Sequence, residues 1–245
     1  MALSRAVLFD FDGTLADTAA DLGAAVNQMR RHRGMNDLPV ADVRPYASMG
    51  ARGLLRVGLG VTPDDPGYLA MRNDFLDRYD AHVCVETKLF PGMAELLREL
   101  VSRRIAWGIV TNKSSRFTPR IIEGLQVVPA CVVCGDSTPH LKPHPAPLLL
   151  AADQLKLAPQ KCFYVGDDLR DIQAARAAGM RPVAVEWGYH SPDNAGPREW
   201  NADAVLSSPS GRLLQIGEQR CLVCDSTIPR QVEGFGHGAI APAWW

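Results

Sequence analysis

From Ile105 to about Ser208, short strand-like runs alternate with helix-like segments: IAWGIVTN, SSRFTPRIIEGL, ACVVCGD, PAPLLLAADQLKL, CFYVGD, DLRDIQAARAAG, MRPVAVEW and ADAVLSS. Few architectures accept that order. Strands that must return in parallel need a crossover, and a helix packed on the sheet supplies it, in a right-handed sense. RAVLFD at 5–10 adds one more apolar, β-branched run before a turn. The chain therefore reads as α/β, with a doubly wound, Rossmann-like parallel sheet.

Between the first strand and the regular part lies a stretch without strand signals. AADLGAAVNQMRRHRG has helical spacing, with Asp17 and Thr18 before it as caps and Gly34 as its stop. DLPVADVRPYA, ARGLLRVGL and DPGYLAMRNDFLDRYDAHV read as short helices joined by Gly and Pro. After LFPG, MAELLRELVSRR is an amphipathic helix with Leu96, Leu97 and Leu100 inward. The expected division is a sheet core at 1–17 and 89–220, a helical insertion at 18–88, and an irregular Gly- and Pro-rich extension at 221–245.

Lys and Arg number 26 against 27 Asp and Glu, a net charge of −1. That balance excludes broad electrostatic binding to nucleic acid or anionic membrane, but not a small anion held by a few residues. No apolar run reaches the ~18–20 residues of a membrane span, and MALSRAVLFDFDGTLADT has no signal-peptide core. The expectation is a cytoplasmic protein, monomer or homodimer, with a small-molecule substrate. The cysteine pairs CVVC (131–134) and CLVC (221–224) have zinc-ligand spacing. The first pair falls in a predicted strand, whose alternation sends the two thiols to opposite faces. Free thiols are the preferred reading.

The strand-like runs end in Asp10, Thr111, Asp136 and Asp167. In an open parallel sheet ligands bind beyond the carboxyl ends of the strands. Acids gathered there repel one another unless a cation intervenes, and hard oxygen donors suit Mg²⁺. In DFDGT, one carboxylate is able to attack phosphorus and the second to carry a proton for the leaving oxygen, while Gly13 permits a sharp turn.

These residues carry a resemblance. DFDGTLADT, VTNK at 110–113, LKPHP around Lys142 and VGDDLRD at 165–171 resemble, in order, the four motifs of the haloacid dehalogenase-like hydrolases. The resemblance implies Asp10 as nucleophile, Asp12 as acid and base, Thr111 and Asn112 as hydrogen-bond donors to the phosphoryl group, and Lys142 as its counter-charge. Mg²⁺ would be held by Asp10, the Asp12 carbonyl and Asp167, with Asp168 or Asp171 completing the outer shell; Asp171 alternatively positions Lys142. Lys113 is read as a solvated lysine outside the set. The insertion resembles the family's helical cap, ADT and LFPG its hinges, and Ser48–Arg52 a substrate loop in which Arg52 pairs with an anion.

Asp12 favours phosphoester hydrolysis over dehalogenation, because an alkoxide needs a proton and a halide does not. Within the family the chain is similar to phosphoglycolate phosphatases. KLFPGMAELL, WGIVTNK and GDDLRDI also resemble a branch acting on N-acetylmuramic acid 6-phosphate. The expected function is a Mg²⁺-dependent phosphatase of a small carboxylated monoester, working through an aspartyl phosphate. The alternatives are the N-acetylmuramic acid 6-phosphate activity, another sugar-phosphate phosphatase or phosphomutase, and an inactive phosphoester-binding protein.

Overall fold

The computed structural model describes residues 5–190 and 195–209. The chain opens with β1 (Ala6–Phe9), turns sharply into β2 (Ala16–Asp17), and runs through α1 (Ala19–Arg31), α2 (Val40–Val43), a 3₁₀ turn at Arg44–Met49, α3 (Gly50–Leu59) and α4 (Tyr68–Ala81). It returns by β3 (Lys88–Leu89) to α5 (Met93–Ser102), β4 (Ala106–Val110), α6 (Thr118–Gly124), β5 (Val132–Val133), α7 (Ala146–Gln154), β6 (Cys162–Gly166), α8 (Leu169–Ala177), β7 (Arg181–Val185) and β8 (Ala204–Leu206).

Six strands form one sheet in the order β5-β4-β1-β6-β7-β8, every pair parallel. β1 is central and wholly buried, which is why it is an uninterrupted apolar run. Its side chains alternate: Val7 and Phe9 join the core on one face, Ala6 and Leu8 the core on the other. The chain builds β4 and β5 on one side of β1 and then crosses through α7 to β6 on the other, so the winding reverses beside β1 and a crevice opens at its carboxyl end.

β2 and β3 pair antiparallel and form a neck from which α1 to α4 project. The helices pack through Leu22, Val26, Leu54 and Phe75 into the same apolar cluster as Phe9 and Val165. The return to the neck depends on Asp21, buried in the first turn of α1. Its carboxylate accepts from the N–H groups of Val85, Glu86 and Thr87 and from the Thr87 hydroxyl, at 2.6–3.0 Å. Asp21→Ala removes the shared acceptor of these donors, of which those of Thr87 are buried, so unfolding in urea should show a loss of about 3 kcal/mol. A loss below 1 kcal/mol would mean that solvent replaces the carboxylate.

Local expectations needed correction in three places. The Thr18 hydroxyl does not cap α1; it turns to Asp12, and Asp17 Oδ1 accepts from Ala19 N–H at 3.3 Å instead. The helix expected from Ser114 begins only at Thr118, because Ser114 and Ser115 donate to Asp136 and hold the chain in a turn. The strand expected over 130–136 shrinks to Val132–Val133. Cys131 and Cys134 flank it as buried free thiols. Burial pushes the Cys131 thiol up to about 12. CLVC and the extension at 221–245 lie outside the described residues.

Candidate active site

β1 and β6 run in register, Phe9 beside Val165, so the residues that follow them emerge together at one rim. Asp10 is fixed there by its own N–H, which donates to Val165 O at 2.8 Å. The turn after it closes through Leu15 and Ala16 N–H to Phe11 O. It passes so near Asp167 that a Cβ on Gly13 (φ +86°) would lie 2.2 Å from Asp167 Oδ2. Only glycine serves at this position.

Asp167 accepts from Thr14 Oγ1 at 2.7 Å, Tyr189 N–H at 2.8 Å and Ser48 Oγ at 3.2 Å. Asp171, in the first turn of α8, accepts from Asp168 N–H at 3.1 Å. Lys142 reaches in from the loop before α7. Asn112 grips its backbone on both sides, donating to Lys142 O and accepting from Lys142 N–H. The ammonium donates to Asp10 Oδ1, Asp171 Oδ1 and the Tyr164 hydroxyl, each at 2.8 Å. Burial opposes its charge, but the two carboxylates outweigh burial and hold Lys142 above its ordinary range.

Oxygens of Asp10, Asp167 and Asp171 lie within 4.8 Å of one another, all buried. Burial, with Asp10 and Asp171 alongside, drives the Asp167 carboxyl well above the carboxylate range, and burial pushes Asp171 up to about 7. Lys142 alone does not neutralise three acids. A hard cation among these oxygens would, and the donor set fits one.

Asp12 stands outside the carboxylate cluster. Its carboxylate accepts from Thr18 Oγ1 at 2.5 Å and from Lys113 Nζ at 3.0 Å. Lys113 is completely buried, with its ammonium 4.7 Å from the centre of the Tyr79 ring. Burial pulls it below its ordinary value against the pull of Asp12. The reading of Lys113 as a solvated lysine is thus corrected: an acid and an aromatic face make burial tolerable.

The structure brings Asp10, Asp12, Thr111, Asn112 and Lys142 to the lining of one cavity. Asp167 is not on the lining but accepts from Ser48, which is. Asp136 does not join them; it is exposed and bound to Ser114 and Ser115. Arg52 is exposed and is not on the cavity lining, whereas Ser48 and Arg170 are. Asp168 is held by Arg170, through Oδ1 to Nε at 2.8 Å and Oδ2 to Nη2 at 2.9 Å. Of the two acids left open for the outer shell, Asp171 stands in the carboxylate cluster and also positions Lys142. Thr14, Lys113, Tyr164, Arg170 and Tyr189 escaped sequence reasoning. Lys113 and Arg170 lie inside matched motifs, which was the available signal.

A family model described as haloacid dehalogenase-like hydrolase matches residues 7–185. The chain belongs to the haloacid dehalogenase-like hydrolases. An N-acetylmuramic acid 6-phosphate phosphatase of Pseudomonas putida is 43% identical over 210 residues, 84% of this chain and 92% of that protein. A phosphoglycolate phosphatase of Xanthomonas campestris pv. campestris is 43% identical over 211 residues, 85% of this chain and 95% of that one. The crystal structure of a predicted phosphoglycolate phosphatase from Haemophilus somnus superposes with a TM-score of 0.75 at 24% identity, covering 88% of this chain and 99% of that one. The last likeness is one of fold. Among the described residues no helix is long and apolar enough to cross a membrane.

Proposed function

We propose that this hydrolase is a Mg²⁺-dependent phosphatase that cleaves a small carboxylated phosphate monoester through a phosphorylated Asp10. The observation that carries the reading is the convergence of Asp10, Asp167 and Asp171 with the saturated ammonium of Lys142 at the crevice.

Asp10 Oδ1 is engaged by Lys142 Nζ and Phe11 N–H, which leaves Oδ2 to attack. Its lone pair forms the bond to phosphorus as the bond to the ester oxygen breaks, and Asp12 gives its proton to that oxygen. Asp12 then takes a proton from water, which attacks phosphorus and releases phosphate and Asp10. Thr111 and Asn112 hydrogen-bond the phosphoryl oxygens from the cavity wall, and Lys142 opposes their charge. Asp10, Asp167 and the Asp12 carbonyl would hold Mg²⁺, with Asp171 behind them, and the ion would supply charge neutralisation for two anions that must meet.

Residues 18–88 act in this reading as a cap on a core of 1–17 and 89–220. Ser48 is the cap residue that reaches the site, through Asp167 and Arg170. The X. campestris relative supports an ester of phosphoglycolate size, and the P. putida relative supports the bulkier N-acetylmuramic acid 6-phosphate as the second reading. The free thiols fit a cytoplasmic setting.

Purified protein should release phosphate from 2-phosphoglycolate with Mg²⁺, lose that activity in EDTA, and regain it when Mg²⁺ is returned in excess. Turnover that persists in EDTA, or no release from any of a panel of metabolite phosphates, would overturn the reading.

A further inference from the structure

Two cationic side chains line the cavity, Lys142 and Arg170. Lys142 has no capacity left for a second anion. Its three protons go to Asp10, Asp171 and Tyr164. Arg170 is differently placed. Nε donates to Asp168 Oδ1, and Nη2 donates to Asp168 Oδ2 and, at 2.8 Å, to the Ser48 carbonyl. These bonds use three of the five guanidinium protons. Nη1 keeps its two, with no partner among the described residues.

The clamp has two consequences. The guanidinium is fixed from α8 on one side and from the helical insertion on the other, so little rotamer freedom remains to be lost when it meets a ligand. The rest of the lining is hostile to a free carboxylate, because Asp12 and Asp168 stand on the same wall. An anionic group beyond the phosphoryl has one place on this wall where it meets a donor pair on a cation.

We infer that Arg170 is the specificity residue that binds the carboxylate of the substrate through Nη1. This assignment rests on the phosphatase reading and adds to it the group that selects among phosphate esters. It takes the place that Arg52 held in the sequence reading. Asp168 acts here as the holder of the guanidinium and Ser48 as its contact from the insertion.

The test compares 2-phosphoglycolate with ethyl phosphate, which has the same length but a methyl group where the carboxylate stands. kcat/KM is measured with Mg²⁺ for the wild type, Arg170→Gln and Arg170→Lys. A hydrogen-bonded charge pair of this kind is worth about tenfold to a hundredfold. The wild type should prefer phosphoglycolate by at least about tenfold. Arg170→Gln should collapse that ratio by a similar factor, mainly through KM for phosphoglycolate, and Arg170→Lys should restore part of it.

A ratio that Arg170→Gln leaves unmoved would overturn the assignment, as would a wild type indifferent to the carboxylate. Loss of all turnover in both variants would reduce Arg170 to a prop for Asp168 and overturn it too. A wild type inactive on both esters defeats the phosphatase reading itself, so the two failures are distinct.

Discussion

Asp10→Asn should lower Mg²⁺-supported hydrolysis by at least about 10⁴-fold while the protein stays folded. The change removes the attacking atom and almost nothing else. An amide of the same shape still accepts from Phe11 N–H and Lys142 Nζ through its oxygen, the bonds that Asp10 Oδ1 makes at 2.7 and 2.8 Å. Its nitrogen has no usable lone pair to form the bond to phosphorus. Losing a covalent nucleophile costs most of the rate advantage of such an enzyme, because the other groups are arranged around an intermediate that no longer forms. Folding is expected to change little. One carboxylate is removed from a trio that repels itself, against one charge removed from the neighbourhood of a buried ammonium. Single-turnover assays and thermal unfolding, run on the same preparation, check both parts. Residual turnover above about 1% of wild type would deny Asp10 the nucleophile's role.

The parallel sheet was legible because its strands are buried on both faces. AVLF in β1 and CFYVG in β6 contain no residue that prefers water, and each gives way to an acid at its carboxyl end. Asp10, Asp12, Lys142 and Asp167 were legible for a different reason: each lies in a short motif whose residues act through fixed neighbours along the chain. What could not be read is whatever depends on a partner distant in sequence. Asp136 ends a strand-like run just as Asp167 does, yet nothing local says that two serines, 21 and 22 residues earlier, would bind it and draw it away from the site. Lys113 was read as exposed because most lysines are. Its burial follows from an ion pair across 101 residues and an aromatic face on α4. Arg52 was the arginine the sequence offered for the substrate, and Arg170 was not singled out. The fold separates them, leaving one on an exposed helix face and fixing the other between Asp168 and a carbonyl 122 residues away. Thr18 shows the same rule on a smaller scale: a good capping residue abandons the cap because Asp12, six residues back, is a better acceptor.

Asp12→Asn should separate the two halves of the reaction. With a nitrophenyl ester, whose leaving group needs no proton, the variant should still transfer phosphoryl to Asp10 and give a burst of about one nitrophenolate per active site. Steady turnover should then fall by about 10³-fold, because no base activates the water. With an alkyl ester both halves need the proton carrier, and the burst should vanish. Stability complicates the comparison. Lys113 is fully buried and its charge is tolerated through Asp12 at 3.0 Å. An amide removes the charge that faces that ammonium at 3.0 Å, and removing one member of a buried pair costs about 3–5 kcal/mol, whereas replacing both by apolar groups is often nearly neutral. The double variant Asp12→Asn, Lys113→Met should therefore regain most of the lost stability, read from urea unfolding, while regaining none of the steady-state rate. Equal losses on the two esters with no burst would remove Asp12 as the proton carrier. Recovery of turnover in the double variant would show instead that the defect was one of folding.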